Sequence, residues 1–266
     1  MSANNQIVIR KEKGKYIIYI NLCVDNEFDF NERSIIGEST SLKGAIKIAN
    51  NYIKENLVEF DKTAFYPNGG GQPNDTGKII VNYKEYDVVN VTKNEGHVFH
   101  HLASTDGLNI GDEIRGIIDW TRRYQLMKMH TTAHIIDAVL YKETGALATG
   151  GQLGIDKSRI DFSLDTIDKD KIKQFVDTSN EIVKKGIEIK SYFLAREEAM
   201  KIPGIVKLAN VMPPNVERLR IIEIPDVDTQ ADGGTHVKNT KEIGEIVLLS
   251  VENRGKNNRR IYYTLK

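Results

Sequence analysis

Hydrophobic positions repeat with two different periods along this chain. Alternation over Gln6–Arg10 and Tyr16–Leu22, joined by the polar turn K-E-K-G-K, predicts a β-hairpin. Behind three hydroxyl residues, apolar positions then recur every three or four residues, which predicts one amphipathic helix over 41–56. Short apolar runs separated by polar turns follow at 78–83, 86–91, 97–102 and 113–118. This rhythm is typical of a small antiparallel barrel or sandwich.

The second half of the chain has longer helical patterns. One buried stripe predicts a helix of about residues 121–143, and a second pattern predicts a helix over 168–185 that stops at Gly186. The first stripe consists of Leu126, Met129, Ala133, Ile136 and Leu140. Strand-like runs lie at 158–163, 187–194, 218–224, 243–252 and 258–265. Helices and strands together favour the α+β class.

The predicted architecture is therefore a small antiparallel β-barrel-like domain followed by a domain with helices and an antiparallel sheet. We expect an N-terminal extension over 1–56, made of a hairpin and a helix. The β-barrel-like domain with the glycine-rich motif spans 57–119, and the α+β domain spans 120–266.

Composition excludes several classes of protein. The 266 residues carry 37 basic and 37 acidic side chains, so no net charge draws the chain to DNA or to an anionic membrane. Cys23 is the single cysteine, which excludes an internal disulfide and a zinc site built on cysteine pairs. Because no signal peptide or long apolar span occurs, we expect a cytoplasmic protein with no membrane partner. The oligomeric state is left open.

Two pairs of residues have the spacing of metal ligands. His130 and His134 lie one turn apart on the first predicted helix, although two hydrogen-bonded core histidines would show the same spacing. Asp232 and His236 follow a predicted strand in a glycine-containing loop, where functional groups are often displayed. Together the four side chains match the donors that zinc prefers.

A glycine-rich segment, T-A-F-Y-P-N-G-G-G-Q-P-N-D-T-G, occupies residues 63–77. Gly69, Gly70 and Gly71 allow the backbone to approach a ligand closely, and Gln72 offers both a donor and an acceptor. A surface turn between two strands is the alternative. The segment is neither a phosphate-binding loop nor a dinucleotide fingerprint.

Four segments carry a resemblance to a known family. They are the glycine-rich block, I-D-W-T-R-R-Y-Q-L-M-K-M-H-T-T-A-H-I-I at 118–136, S-R-I-D-F at 158–162, and D-G-G-T-H-V-K-N-T-K-E-I-G at 232–244. In this order they resemble alanyl-tRNA editing proteins of the AlaX type, free-standing relatives of the alanyl-tRNA synthetase editing domain. The resemblance covers residues 57–266, and 1–56 have no clear counterpart in it.

The resemblance implies a hydrolase that deacylates alanine tRNA carrying a wrong amino acid, chiefly serine and with glycine as a second candidate. It implies that 120–266 form the editing, or second additional, domain. It makes His130, His134 and His236 zinc ligands, whereas Asp232 stands where the family has cysteine. Asp232 either ligates the metal as a harder donor or lies just outside it and leaves room for water. We favour a bound zinc ion with Asp232 near it.

Substrate recognition needs further polar groups. A site that hydrogen-bonds the serine hydroxyl can discriminate against alanine, and Thr63 with Gln72 is the candidate pair. The alternative for Thr63 is a plain β-branched strand residue. Basic side chains for the acceptor end of tRNA(Ala) include Arg122 and Arg123, although charge runs are more often solvated surfaces. Further candidates are Lys128, Arg254, Lys256, Arg259 and Arg260.

Three other functions remain open. One is the threonyl type of aminoacyl-tRNA editing domain, which shares the paired ligand theme but which the glycine-rich block argues against. Another is a non-catalytic module that binds tRNA acceptor ends. The third is a purely structural zinc site. His97, His100 and His101 alternate along a predicted strand, and we interpret them as structural.

Overall fold

The computed structural model describes residues 6–24, 27–45, 56–166, 168–206 and 215–266. The chain divides into two compact units, one made of Met1–Gly69 and Pro73–Arg123, the other of Gly70–Gln72 and Tyr124–Lys266. The three-part division proposed from the sequence stays a prediction.

The first unit begins with a three-stranded antiparallel sheet. Strands β1 (Gln6–Glu12) and β2 (Lys15–Val24) form the predicted hairpin, and β3 (Glu27–Ser39) pairs with β2. Strand β3 was missed because its sequence is mostly polar and lacks a clean alternation. The predicted helix over 41–56 begins as expected, with residues 42–45 helical, and its remainder lies outside the described residues.

A five-stranded antiparallel sheet follows in the same unit, in the order β4-β7-β6-β5-β8. Its strands are β4 (Leu57–Glu59), β5 (Gly77–Val81), β6 (Lys84–Asn94), β7 (His97–Leu102) and β8 (Arg115–Ile118). Alternate residues of β5, β6 and β7 point into a core that includes Ile79, Val88 and Leu102. Four of these strands match the predicted runs. The sheet is open, because no described pairing joins β4 to β8.

The second unit contains most of helix α1 (Trp120–Thr144). Its predicted stripe is buried at Leu126, Met129, Ile136 and Leu140, with Ala133 partly buried. Every residue from 134 to 140 is buried, so this stretch of the helix is surrounded by protein rather than lying on a surface. Groups attached here are therefore held on a rigid and largely desolvated support.

Two antiparallel sheets and a second helix complete this unit. The four-stranded sheet has the order β14-β15-β10-β9, and the three-stranded sheet has the order β11-β12-β13. The strands are β9 (Ala148–Gln152), β10 (Ser158–Phe162), β11 (Lys190–Ala195), β12 (Arg218–Ile224), β13 (Asp228–Ala231), β14 (Ile246–Asn253) and β15 (Arg259–Leu265). Helix α2 (Lys169–Lys184) is capped by the Asp168 side chain. A short helix, α3 (Arg196–Ala199), follows β11, and a 3₁₀ turn spans Thr240–Ile243.

The α+β class predicted from the sequence is confirmed by these antiparallel sheets and separate helices. Strands β9 and β13 were not predicted, because they are short and rich in glycine or polar residues. Among the described residues, no helix combines the length and apolar character needed to span a membrane.

Candidate metal centre

Four side chains converge in the second unit. His130 and His134 lie on helix α1, while Asp232 and His236 lie in the loop after strand β13. One donor atom from each of the four lies within 4.8 Å of every other. The three imidazole centroids are 4.5–5.2 Å apart. Residues about 100 positions apart in sequence thus form one compact cluster.

Each imidazole is held by its outward-facing nitrogen, Nδ1. His130 Nδ1 lies 2.8 Å from Gln72 Oε1. His134 Nδ1 lies 2.8 Å from Asp228 Oδ2. His236 Nδ1 lies 3.2 Å from Thr131 Oγ1, whose own hydrogen is donated to the Met127 carbonyl.

These partners fix the position of the proton on two of the three rings, those of His130 and His134. Gln72 Oε1 also accepts the backbone N–H of Thr235, so this atom is the amide oxygen. The Nδ1 atoms of His130 and His134 therefore face acceptor oxygens and carry hydrogen, which leaves the Nε2 atoms of these two rings with free lone pairs. In His236 both ring nitrogens face oxygens, and Nε2 lies 2.9 Å from Asp232 Oδ2. Such fixed tautomers are the usual arrangement behind a metal-bound histidine.

The chemistry of this donor set fits a metal ion. The three imidazoles and the carboxylate of Asp232 converge, and their lone pairs repel one another unless a cation or a proton lies between them. The donor atoms lie within 4.8 Å of one another, and a tetrahedral zinc ion with its usual bond lengths would hold its ligands about 3.3–3.6 Å apart, so the longest separation would have to shorten by about 1.2 Å. The four residues can therefore hold a metal.

The loop that carries Asp232 and His236 is shaped by short contacts. Asp232 Oδ2 accepts the backbone N–H of Gly234 at 2.6 Å and lies 2.9 Å from His236 Nε2. Arg220 on β12 donates to the carbonyl oxygens of Asp232 and Gly234. A Cβ atom on Gly234 would lie 2.2 Å from His130 Cε1, so only glycine leaves room for this imidazole.

Burial and charge set the protonation of the cluster. Burial holds the pKa of His130 well below its ordinary value and lowers the pKa of His236 to about 4. Burial would also lower the pKa of His134, but the contact with Asp228 outweighs it and raises that pKa. Burial disfavours ionised Asp232, yet the surrounding imidazoles hold its pKa well below normal. Asp232 is thus an anion facing two neutral imidazoles at pH 7.

One side of the cluster is more open than the rest. The Asp232 side chain is 20% exposed, whereas those of His134 and His236 are 8% and 3% exposed. Among the four side chains of the cluster, Asp232 is therefore the most accessible to solvent.

The glycine-rich segment contributes Gln72 to this cluster. Besides its contact with His130, the amide nitrogen of Gln72 donates to Thr235 Oγ1, and the side chain is buried. Gly71 has a positive φ of 85°, and its carbonyl accepts the N–H of Leu153. A Cβ on Gly71 would lie 2.7 Å from the Gly151 carbonyl, so this residue must also be glycine. The catalytic role proposed for Gln72 and the substrate-binding roles proposed for Gly69, Gly70 and Gly71 stay predictions.

Thr63 lies in the first unit, where its side chain is part of a small network. Its hydroxyl accepts the N–H of Phe65 and lies 2.8 Å from His100 Nε2. His100 is buried and stacks on Phe60, and burial lowers its pKa to about 4. The catalytic role of Thr63 stays a prediction.

Several basic side chains proposed for tRNA contact are engaged within their own unit. Arg123 is paired with Asp75, and Arg122 donates to the Asn74 carbonyl. Arg260 makes two hydrogen bonds to Asp161. Arg259 is buried and donates to backbone carbonyls and to the side chain of Asn253. Their contact with phosphates stays a prediction that the structure does not strengthen.

Sequence reasoning missed the residues that support the cluster. Asp228 and Asp137 both accept from the amide of Gln230, and Asp228 holds His134. Thr131 and Arg220 were also overlooked. Asp228 and Gln230 lie two residues apart on one short strand, so their side chains share one face of it. The sequence pattern does not indicate which residues of helix α1 these side chains contact.

Comparison with known proteins identifies the family of this chain. Residues 219–262 match the family described as the threonyl and alanyl tRNA synthetase second additional domain, and residues 20–122 match class II (A) tRNA synthetases. An alanyl-tRNA editing protein AlaX-M from Saccharolobus solfataricus is 51% identical over 217 residues, which cover 80% of this chain and 91% of that protein. The chain belongs to the AlaX family of alanyl-tRNA editing proteins. The predicted enzyme class, an aminoacyl-tRNA ester hydrolase, is thereby confirmed at the level of the family.

Other relatives extend this picture. The AlaX-M protein of Methanosarcina acetivorans is 43% identical over 219 residues, covering 79% of this chain and 89% of that protein. An alanine–tRNA ligase of Methanococcus aeolicus is 35% identical over 260 residues, which are 96% of this chain but 28% of the ligase. That alignment includes most of residues 1–56, for which the sequence alone gave no counterpart. This AlaX chain therefore corresponds to one part of a synthetase.

Proposed function

We propose that this AlaX chain hydrolyses the ester bond of alanine tRNA that carries a wrong amino acid, in trans and at a zinc site. Serine is the chief amino acid removed, and glycine is a second. The observation that carries the proposal is the convergence of three Nε2 atoms and one carboxylate in a chain that matches AlaX-M proteins along most of their length.

Zinc is the metal that this donor set suits best. Imidazole nitrogen favours zinc, copper, iron and nickel over magnesium and calcium, and three histidines with one carboxylate complete a tetrahedral set. His130, His134, His236 and Asp232 would hold the ion. Four protein ligands saturate a tetrahedral ion, so zinc would act as a Lewis acid on a carbonyl oxygen or a water molecule where Asp232 yields its position, and would position the substrate where the set stays closed.

The protein groups have separate tasks in the hydrolysis. Water attacks the ester carbonyl, a C–O bond forms, the bond to the terminal ribose breaks, and the water proton ends on the ribose oxygen. Gln72 and Asp228 keep the imidazoles in one tautomer throughout. Because Asp232 Oδ2 accepts the Gly234 N–H, Oδ1 is the carboxylate atom that would bind the metal or, where Asp232 lies just outside it, orient a water or the substrate ammonium group.

Selection of serine requires a partner for its hydroxyl. A pocket that hydrogen-bonds this group penalises a substrate without it by up to about 10⁴–10⁵-fold. We propose Thr63, together with Gln72, as the group that hydrogen-bonds the serine hydroxyl. The Thr63 hydroxyl is anchored by Phe65 N–H and by His100, so its direction is set before substrate arrives.

The partner follows from the same proposal. The substrate is the acceptor end of tRNA(Ala) bearing a wrong amino acid, and we place the reaction in the cytoplasm. Gly69, Gly70, Gly71, Arg122 and Arg123 remain proposed contacts to that end.

Deacylation and metal content test the proposal together. Purified protein should carry about one zinc per chain and release serine from Ser-tRNA(Ala) while leaving Ala-tRNA(Ala) intact. His236→Ala should abolish both zinc retention and turnover. His97→Ala is the matched control, because His97 is an exposed histidine of the first unit and its loss should change neither.

The alternatives give different results in the same assay. Faster hydrolysis of Ser-tRNA(Thr) than of Ser-tRNA(Ala) would indicate the threonyl type. Binding of tRNA without turnover would indicate a non-catalytic module. If His130→Ala unfolds the protein and the wild type hydrolyses nothing, the metal is purely structural.

A further inference from the structure

An exposed aromatic residue lies on the sheet that carries the metal-binding loop. Phe193 on the edge strand β11 is 54% exposed, although a phenylalanine is usually buried. Its neighbours Tyr192 and Leu194 point to the opposite face and pack into a small core. Phe193 is therefore not part of that core, and its exposure has to be explained by something else.

Phe193 shares its face with two arginines. It lies directly opposite Arg220 in the register of β11 and β12, so their side chains are neighbours on one side of the sheet. The guanidinium of Arg218 lies 5.6 Å from the centre of the Phe193 ring. An aromatic ring beside a guanidinium offers two flat surfaces and a positive charge.

The same face leads to the metal-binding loop. Arg220 donates to the carbonyl oxygens of Asp232 and Gly234. Farther along β12, Ile222 and Ile224 are each 1% exposed. The face is therefore covered at Ile222 and Ile224 and open at Phe193. Asp232, the most exposed side chain of the cluster, lies beside Arg220 between these two ends.

We propose that Phe193 and Arg218 form a platform on which an unpaired base of the tRNA 3′ end stacks while the ester lies at the metal centre. This inference rests on the proposed function and names the part of the substrate that this face receives. Unpaired RNA bases stack on aromatic and guanidinium planes, and the Arg218 charge complements an adjacent phosphate. The continuity of this face with the Asp232 loop favours RNA over an unrelated protein partner.

Binding of uncharged tRNA(Ala) tests the platform without relying on turnover. Two ligands are compared, the intact tRNA and the same tRNA lacking its unpaired 3′ nucleotides. Phe193→Ala should weaken binding of the intact tRNA by about 5- to 140-fold and leave binding of the shortened tRNA unchanged. Phe193→Tyr should restore the affinity, because the tyrosine ring also stacks.

Two further variants make the test specific. Leu249→Ala removes an apolar side chain of similar exposure, 49%, from a strand of the same unit and should not affect either ligand. Arg218→Gln should reduce the slope of log affinity against log salt by about 0.7, the value for one contact to single-stranded phosphate, while Arg218→Lys should keep it.

Equal binding of both tRNAs by Phe193→Ala and wild type would overturn the inference. It would also be overturned if Phe193→Ala changed the sedimentation of the protein alone, since the face would then be a protein–protein contact. Failure of the proposed function is distinguishable, because it appears as absence of deacylation by the wild type. In that case an end-dependent loss in Phe193→Ala would still support the platform.

Discussion

Two adjacent glycines in the loop that carries Asp232 and His236 provide a matched pair of substitutions. A methyl group added at Gly234 would lie 2.2 Å from His130 Cε1, 2.4 Å from His130 Nδ1 and 3.0 Å from Asp232 Oδ2. At Gly233 no atom lies within 4 Å of the added methyl group. Neither glycine has a positive φ, so the two substitutions differ in steric contact and not in backbone strain.

The size of the effect follows from these distances. Ordinary carbon contacts begin near 3.4 Å, so the His130 ring must move by about 1.2 Å to accommodate Gly234→Ala. A displacement of this size breaks the 2.8 Å hydrogen bond to Gln72 and moves Nε2 away from the other donors. Loss of an outer partner alone lowers metal affinity by about 10- to 100-fold, and displacement of a ligand should cost at least as much.

Competition with a chelator measures this directly. Gly234→Ala should lose zinc at a chelator concentration at least ten times lower than wild type does, and its rate of Ser-tRNA(Ala) hydrolysis should fall in parallel. Gly233→Ala should behave as wild type in both measurements. Circular dichroism shows whether each variant is folded. Equal zinc retention by folded Gly234→Ala and wild type would refute the reasoning, because it would mean that His130 is not a ligand.

Three further substitutions are informative. Asp228→Asn removes the negative charge that lies behind His134 and should lower zinc affinity by about 10- to 100-fold in chelator competition. Unchanged affinity would show that Asp228 does not strengthen His134 as a ligand. Asp232→Cys supplies a softer ligand and should raise zinc affinity, whereas a decrease would place Asp232 outside the metal shell. Burial would raise the pKa of Asp161, but hydrogen bonds and charges, first those of Arg260, lower it, so this group stabilises the fold fully above its unfolded pKa of about 4 and loses that contribution as pH falls through its lower folded pKa. Asp161→Asn should therefore lower the thermal midpoint more at pH 7 than at pH 3, and an equal decrease at both would contradict the ion-pair account.

Local patterns in the sequence were sufficient for most elements. Helix α1 and strand β12 agree with the predicted 121–143 and 218–224 almost to the residue, because long apolar repeats leave little choice of conformation. Short strands without alternation, such as β13 (Asp228–Ala231), were missed. Strand β13 forms because it pairs with β12 and because its polar side chains contact residues of helix α1. These contacts cannot be read from the few residues on either side of the strand.

For the candidate site too, local features were predictable from the sequence and long-range contacts were not. The sequence by itself determined that His130 and His134 share one face of a helix, that Asp232 and His236 follow a strand, and that these segments resemble one family. Helix geometry and motif order are local properties, so they can be read from neighbouring residues.

Only the tertiary structure decided how these groups are used. It placed Gln72 behind His130 and Asp228 behind His134, fixing each proton, and it distinguished Gly234 from Gly233. These contacts join residues 58 and 94 positions apart. At such separations, the choice of partner depends on how helices and sheets pack in three dimensions, and the order of residues along the chain does not encode it locally.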